Sequence, residues 1–416
     1  MRVKVWTAAG AAIVLSTAMA ACGSSSNSGG TANPHVGAPI NVGVVTSLTG
    51  GTSSSFLTLE QGVKARLAVE NAKGGVDGRK LTYVMADDTS TPAGTLSATQ
   101  KLIKEDKVFA ILDGSTTFFS GAPAAKAANM PVIGISNDGG PEWHDKSYTT
   151  FFDAMGYGDY SLTADTWGKI WKSQGCTKVG AVALAKASSA RAGEAAVLAA
   201  QKSGLQKGYL NTQLPIGSTD VGPAVLGIKN SGTDCVYLPL SPSSAFAVAA
   251  DLAQQGVKMK AVLMGTGYGA DILANKAGAQ AAQGVDFMTS WTPVEAETEA
   301  TKAMQDSLEK YAGVTGIPTY GEYVGWTLAD MFVYGLKKAG GDASQTDFVS
   351  ALRNSDTWDA GGLFSKPTNF ADPAQNAGGL GPGNCTNVVK LQGEKFEILD
   401  GLTPVCGDVI EGAEVS

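Results

Sequence analysis

INVGVVTSLTGGTSSSFLTLEQGVKARLAVENAKGGVDGRKLTYVMADD, residues 40–88, is the stretch whose reading decides the fold. It opens on a short valine-rich run, the texture of a strand buried on both faces. A Ser/Thr/Gly loop follows at 46–55. Next comes a helical stretch that carries Leu59, Val63, Leu67 and Val69 near one face and stops at Gly74-Gly75. LTYVMADD is then a second strand. Two strands separated by a helix-length segment pair in parallel, with the helix as the crossover.

The rhythm continues outward from this unit. Thr91 is placed to cap a helix that has Pro92 at its first position and runs to about Glu105. VFAILDG (108–114) reads as a strand, SGAPAAKAANM (120–130) as a helix and PVIGIS (131–136) as a strand. The pattern then restarts. LTADTWGKIWKSQ (162–174) is helical, KVGAVALA (178–185) a strand and RAGEAAVLAAQKSG (191–204) a helix. After a loop and a helix around 221–230, CVYLPLS (235–241) is a strand, SAFAVAADLAQQG (244–256) a helix and AVLMGTG (261–267) a strand. Two helices follow, at about 297–312 and 320–339. CTNVVKLQGEKFEILDG (385–401) reads as a hairpin around a glycine turn. The fold class is α/β, with two doubly wound Rossmann-like lobes.

A chain of 416 residues with 44% hydrophobic content exceeds one ordinary core, which agrees with two lobes. The net charge of -7 comes without a basic stripe, so nucleic acid is not an expected partner. His35 and His144 are the only histidines, too few for a histidine-based metal site. No G-x-S-x-G elbow, HExxH or Walker motif is present, and an enzyme is not expected. GTGYG at 265–269 lacks the spacing of a dinucleotide fingerprint. No cofactor and no metal are expected.

Residues 1–21 read as a secretory signal: Arg2 and Lys4, then a short apolar run, then Met19-Ala20-Ala21 before Cys22. Small residues directly before a cysteine, with Gly23 and serines after it, resemble a bacterial lipobox. That likeness implies cleavage before Cys22 and lipidation of its sulfur. Residues 22–39 are then a lipidated flexible tether. The remaining Cys176, Cys235, Cys385 and Cys406 suggest disulfides in an exported chain. Three pairings are open. Cys176 and Cys235 stand at the starts of strands expected to be neighbours, and Cys385 and Cys406 bracket the hairpin, which favours 176–235 and 385–406.

The runs SLTGGTSSS (47–55), GVKARLAVENAKGGVDGRKLTYVMADDTSTP (62–92) and ILDGSTTFFSGA (111–122) resemble the branched-chain amino-acid-binding family, the type I solute-binding proteins of ABC importers. The Ala72-Lys73-Gly74-Gly75 turn with Asp77-Gly78-Arg79-Lys80, and Asp87-Asp88 with Pro92, are its most specific pieces. The resemblance implies two lobes joined by three crossovers around a ligand cleft. It assigns 40–155 with 294–355 to an N-terminal lobe and 156–293 with 356–410 to a C-terminal lobe. It also implies a small-molecule ligand, an importer permease as partner, a lipid-anchored monomer on the extracytoplasmic face and hinge closure over the ligand. A lipoprotein that senses the ligand for a membrane receptor fits the same chain.

In open α/β sheets ligands sit beyond the carboxyl ends of the strands. There the first lobe offers Ser54 and Ser55, Ser115, Thr116 and Thr117, and Asn137, Asp138 and Gly139. The second lobe offers Ser188, Ser189, Ser241 and Tyr268. Phe118, Phe119, Trp143 and Trp291 are further aromatic candidates. The same residue types also serve as helix caps and turns. Against the family pattern, Gly139 falls where a threonine holds the ligand carboxylate, and Ser55 where a tyrosine is common. The loop Gly265–Gly269 brings no acid to hold an ammonium. A branched-chain amino acid therefore does not follow from the resemblance; Asp113 or Asp138 could replace the missing charge or could cap a turn, and the expected ligand is a small polar or amphipathic molecule, an amino acid, an amide or a small organic acid.

Overall fold

The computed structural model describes residues 37–156, 158–370 and 376–415. The expected signal segment, Cys22 and the tether up to residue 36 lie outside them. Strand β1 (Ile40–Thr46) is buried except for half-buried Asn41, as its valine texture requires. With α1 (Leu59–Ala72), β2 (Leu81–Asp87), α2 (Pro92–Lys104), β3 (Ile111–Gly114), α3 (Ala122–Ala127), β4 (Val132–Gly134) and β5 (Phe151–Asp153) it builds the first sheet and its helices. All pairings are parallel, in the order β2-β1-β3-β4-β5. Thr91 caps α2, its hydroxyl accepting the Gly94 N–H at 3.0 Å, and Pro92 follows at the first position.

The second lobe repeats the plan. It comprises β6 (Leu162–Ala164), α4 (Thr166–Ser173), β7 (Lys178–Leu184), α5 (Ala187–Lys202), β8 (Gln206–Leu214), α6 (Gly222–Ser231), β9 (Cys235–Leu238), α7 (Pro242–Gln254), β10 (Ala261–Met264), α8 (Ala270–Ala274), α9 (Lys276–Ala281) and β11 (Asp286–Thr289). The parallel order β8-β7-β9-β10-β11 matches β2-β1-β3-β4-β5 strand for strand. The chain then returns to the first lobe as α10 (Glu299–Ala312), α11 (Tyr320–Ala339) and α12 (Gln345–Arg353). It ends in the second lobe. The hairpin β12 (Asn387–Gln392) and β13 (Lys395–Ile398) extends that sheet antiparallel to β11, and β14 (Val409–Glu414) pairs with β6.

Three segments therefore connect the sheets: 154–161, 290–298 and 354–386. The return to the first lobe is fixed by close backbone packing of α11 on α1. A Cβ on Gly62 would lie 2.1 Å from the Glu322 carbonyl oxygen, and one on Gly325 2.0 Å from that of Leu59. Only glycines allow this approach. Beside it, Arg66 pairs with Asp330 at 2.6 Å, and Asp330 also accepts Trp358 Nε1–H at 2.9 Å, which ties the third connection to the first lobe.

Both disulfides form as expected. Cys176–Cys235 links the β7 and β9 edges of adjacent strands, and Cys385–Cys406 closes the C-terminal hairpin segment. Strand β8 goes unseen in the apolar pattern because QKGYLNTQL is a mostly half-buried edge strand. Helix α12 is short, and its clearest signal is a capping box between Ser344 and Asp347.

Candidate functional site

In each sheet the chain reverses its direction of growth between two strands: β1 and β3 in the first, β7 and β9 in the second. Such switch points leave a crevice at the strands' carboxyl ends. The two crevices face each other across one cavity. Thr52, Ser55 and Phe56 enter it after β1, Thr116 after β3 and Asn137 after β4. From the second lobe come Lys186, Ser188 and Ser189 after β7, Pro239 to Ser241 after β9, and Gly265 and Thr266 after β10. Tyr160 and Gly379 contribute from the first and third connections, and Tyr320 from the start of α11. The cavity volume is about 120 Å³. A smaller cavity adjoins it, sharing Gly265, Thr266, Met288 and Tyr320 and walled by Trp291 and Tyr323.

The rims touch. Ser188 Oγ donates to the Asn137 carbonyl at 2.6 Å, second lobe to first. Asn137 Nδ2 in turn donates to the Tyr320 hydroxyl at 3.1 Å. The cavity is thereby roofed on one side by loops of both lobes.

Of the residues expected at the cleft, Ser55, Thr116, Asn137, Ser189 and Ser241 line the cavity, and Ser188 lines it too. Others are turned elsewhere. Ser54 is exposed outside it. Ser115 and Thr117 point into a hydroxyl network with Thr95, 2.7 Å from Thr117 and 3.4 Å from Ser115. Ser115 Oγ also accepts the Thr117 N–H, while its own N–H donates to Asp113. These two hydroxyls shape the loop, and only Thr116 between them lines the cavity.

Asp138 is likewise used up locally. Its oxygens accept Phe119 N–H at 2.6 Å, Trp143 Nε1–H at 2.7 Å and Gly140 N–H at 3.2 Å. Gly139 has φ +68°, and a Cβ there would press on Ser188, so a threonine at this position would collide with the rim. Tyr268 is buried beneath the cleft rather than walling it. Its hydroxyl donates to Glu295 and accepts the Val294 N–H, and its ring packs on Phe396 and Tyr323. It anchors the loop after β10 to the second connection and borders only the adjoining cavity. Phe118 and Trp143 pack together in the first lobe's core, Phe119 is exposed, and Trp291 stacks on Tyr323.

The one charged residue among the described residues lining the cavity carries no mark in the sequence. Lys186 follows strand β7 directly and precedes α5, the same place that singled out Ser188 and Ser189. Among the described residues no hydrogen bond or ion pair holds its ammonium, and none of those lining the cavity is Asp or Glu. Burial pulls the Lys186 pKa down to about 8, partly offset by the Asp138 carboxylate. It is still mostly protonated at neutral pH. Tyr160 and Tyr237 were also missed, since nothing in their local sequence marks them as cleft residues. Both are nearly fully buried, and burial first, then neighbouring groups, raises both phenols above their ordinary range.

The first lobe holds its acids behind the cleft instead. Asp113 is fully buried and raised well above its usual range, by burial first and then by the Asp138 charge. Glu142, beside Asp138, is pushed up to about 9 by burial and by that neighbour. Among the described residues no group of three or more His, Cys, Asp or Glu is arranged to hold a metal ion. No helix among them is long and apolar enough to cross a membrane.

The family model described as periplasmic binding protein matches residues 39–394. Leu/Ile/Val-binding protein homolog 2 of Brucella abortus (strain 2308) is 26% identical over 252 residues, 58% of this chain and 64% of that protein. The match thus spans less than two thirds of that relative's length. Among solved structures, a solute-binding protein of an ABC transporter from R. palustris in complex with benzoate superposes with TM-score 0.71 at 18% identity, over 90% of this chain and 98% of that one. A leucine-binding protein from Thermotoga maritima MSB8 gives TM-score 0.69 at 15% identity, over 88% and 99%. A fatty acid ABC transporter substrate-binding protein from Thermomonospora curvata gives 0.68 at 20%, over 90% and 92%. These structures share the two-lobed α/β fold, and with the family match over most of its length, this chain belongs to the periplasmic binding protein family.

Proposed function

We propose that the protein is an extracytoplasmic, lipid-anchored solute-binding protein that closes its two lobes over a small molecule and delivers it to an ABC importer. The observation that carries this reading is the convergence of the crevice loops of both sheets on one cavity, with Ser188 of one lobe bonded to Asn137 of the other. A pair of lobes joined by three connecting segments is suited to hinge closure. The binding-protein family supports the transport role. The amino acids, benzoate and fatty acid named for its relatives set the scale of ligand to test. The anchor rests on Met19-Ala20-Ala21-Cys22 before a Ser/Gly stretch.

Small-angle scattering with and without a saturating ligand tests capture. The radius of gyration is expected to fall on loading, and an unchanged value with saturated binding refutes closure. Membrane fractionation tests the anchor: wild type is expected with membranes, and Cys22→Ala in the soluble fraction. Intact mass of the membrane-bound protein showing an unmodified Cys22 refutes lipidation.

A further inference from the structure

We infer that the cleft selects organic monocarboxylates that carry no ammonium group, with Lys186 as the counter-charge of the ligand carboxylate. This deepens the solute-binding reading and rests on it. Three observations point the same way.

The first is the position of the lysine. It is the N-cap of α5, a helix of 16 residues, where serine, threonine, asparagine or aspartate is the stable choice. The first-turn N–H groups of a helix have no intrahelical partner, and that end carries positive partial charge. A lysine there adds like charge to it and caps nothing. Helix α7 brings a second N-terminus to the same cavity at Ser241. A half-buried cation with no protein partner among the described residues, in a cavity that also receives the start of α7, is open to an anion.

The second is the missing acid. An amino acid brings an ammonium that needs a carboxylate on the protein, because an unpaired buried charge is expensive. Among the described residues lining the cavity there is none. Asp138, the nearest carboxylate to Lys186 by its electrostatic effect, already accepts three donors from its own lobe.

The third is the wall. Phe56, Leu184, Leu240, Met288, Tyr160 and Tyr237 give the cavity apolar wall, alongside the hydroxyls of Ser55, Thr116, Ser189 and Ser241. That suits a small aliphatic or aromatic acid, with hydroxyls at hand for its carboxylate. One cation balances one negative charge, so a dianionic phosphate ester would remain half compensated.

The titratable groups that share the cavity with Lys186 are the phenols of Tyr160, Tyr237 and Tyr320, and Asp138 acts on it electrostatically from outside the lining. A bound carboxylate favours the protonated lysine. Affinity for an acid is therefore level between the acid's own pKa and about pH 8, the lysine's own pKa, and falls as pH rises above it. Glu142, which titrates at about 9, charges in the same range, so the profile is measured in Glu142→Gln as well.

Calorimetry and thermal shift on the full chain test the inference with matched probes: 4-methylpentanoate against leucine, 3-phenylpropanoate against phenylalanine, and each acid against its primary amide. Each acid is expected to bind roughly 10- to 100-fold more tightly than its amide or its amino-acid counterpart, the range for a hydrogen bond to a charged group. Lys186→Met is expected to erase that preference and the fall in affinity above pH 8, and Lys186→Arg to keep the preference. The empty Lys186→Met protein is expected to melt no lower than wild type, since the lysine is disfavoured there. An amide equal to its acid, an amino acid equal to its deaminated analogue, or no acid bound at all overturns the inference. Ser55→Trp fills the cavity: acid binding that survives it unchanged would sink the cleft reading itself.

Discussion

In the first lobe, the loop after β4 folds Asp138 back onto its own backbone, and Asp113 and Glu142 are sealed behind it with raised pKa values. In the second lobe, the loop after β7 leaves Lys186 open to the cavity with no partner among the described residues. The parallel strands of the two sheets have the same order, so the topology around the crevices does not make this difference. Side-chain chemistry does. These charges of the first lobe are spent on architecture, while Lys186 of the second has no partner among the described residues. A charged residue at a strand's carboxyl end is thus free for a ligand only when local donors do not already saturate it.

The lobes also differ in how they are held. The described disulfides both lie in the second lobe's elements and its C-terminal segment. Cys176–Cys235 closes a loop of 59 residues. In the chain-entropy model its removal by Cys176→Ser with Cys235→Ser costs about 4 kcal/mol. Cys385–Cys406 spans 21 residues, and its removal costs about 3 kcal/mol. Denaturant unfolding of the two double mutants checks both figures. A first pair no more damaging than the second breaks the entropic account.

In the first lobe the comparable device is Asp138. Asp138→Ala leaves the Phe119 and Gly140 N–H groups and the Trp143 indole without their acceptor. A loss of about 3 kcal/mol is expected, since each stranded buried donor carries its own desolvation penalty. Asp138→Asn keeps an acceptor and is expected to lose less. If Asp138→Ala instead left stability unchanged and abolished acid binding, the carboxylate would belong to the ligand site and the contrast between the lobes would fail.

Glu142 sharpens the contrast through pH. Its carboxyl is held at about 9 against an ordinary 4.5, by burial and by Asp138 beside it. Between those values the native state binds more protons than the unfolded chain, so this group lowers stability as pH rises across the window. Glu142→Gln removes that term. Its melting temperature is expected to gain on wild type progressively from pH 5 to 9, with little difference below pH 4.5. Equal slopes for both proteins would show that Glu142 is not the group responsible.

The strand and helix order was legible because buried parallel strands are written as apolar runs, and β1, β7 and β9 follow that rule. Strand β8 does not, as its edge position leaves one side half-exposed. The loops lining the cleft were legible for the same topological reason, and Ser55, Thr116, Asn137, Ser189 and Ser241 do face the cavity. What spacing cannot give is the direction of a side chain within a loop. Ser115, Thr116 and Thr117 are adjacent hydroxyls, yet only the middle one reaches the cavity, since its neighbours are claimed by Thr95. Tyr268 followed the strand-end rule and still went into the core, because Phe396 of the distant hairpin and Glu295 of a connecting segment took its ring and hydroxyl. Lys186 obeys the rule too, but a lysine at a helix start reads equally as a solvated surface residue, and only the structure turns it into a cavity wall.

The smallest expected effect tests whether the contact between lobes acts on closure alone. Ser188 Oγ donates to the Asn137 carbonyl across the cleft. If the lobes open as proposed, both groups become hydrated, so the bond would distinguish closed from open and add little to the stability of either lobe. A neutral hydrogen bond of this kind contributes about 1 kcal/mol net, about fivefold in a closure equilibrium. Ser188→Ala is therefore expected to leave the melting temperature of the empty protein nearly unchanged. It should weaken ligand affinity about fivefold, chiefly through faster release. Lys186→Met acts on the ligand's charge, so its effect depends on whether an acid or an amide is bound. The Ser188→Ala effect should be the same for both, because the serine contributes to closure whatever the guest. Stopped-flow release of an acid and of its amide from the two variants separates the roles. A Ser188→Ala penalty confined to the acid would make the serine a second carboxylate contact rather than a latch.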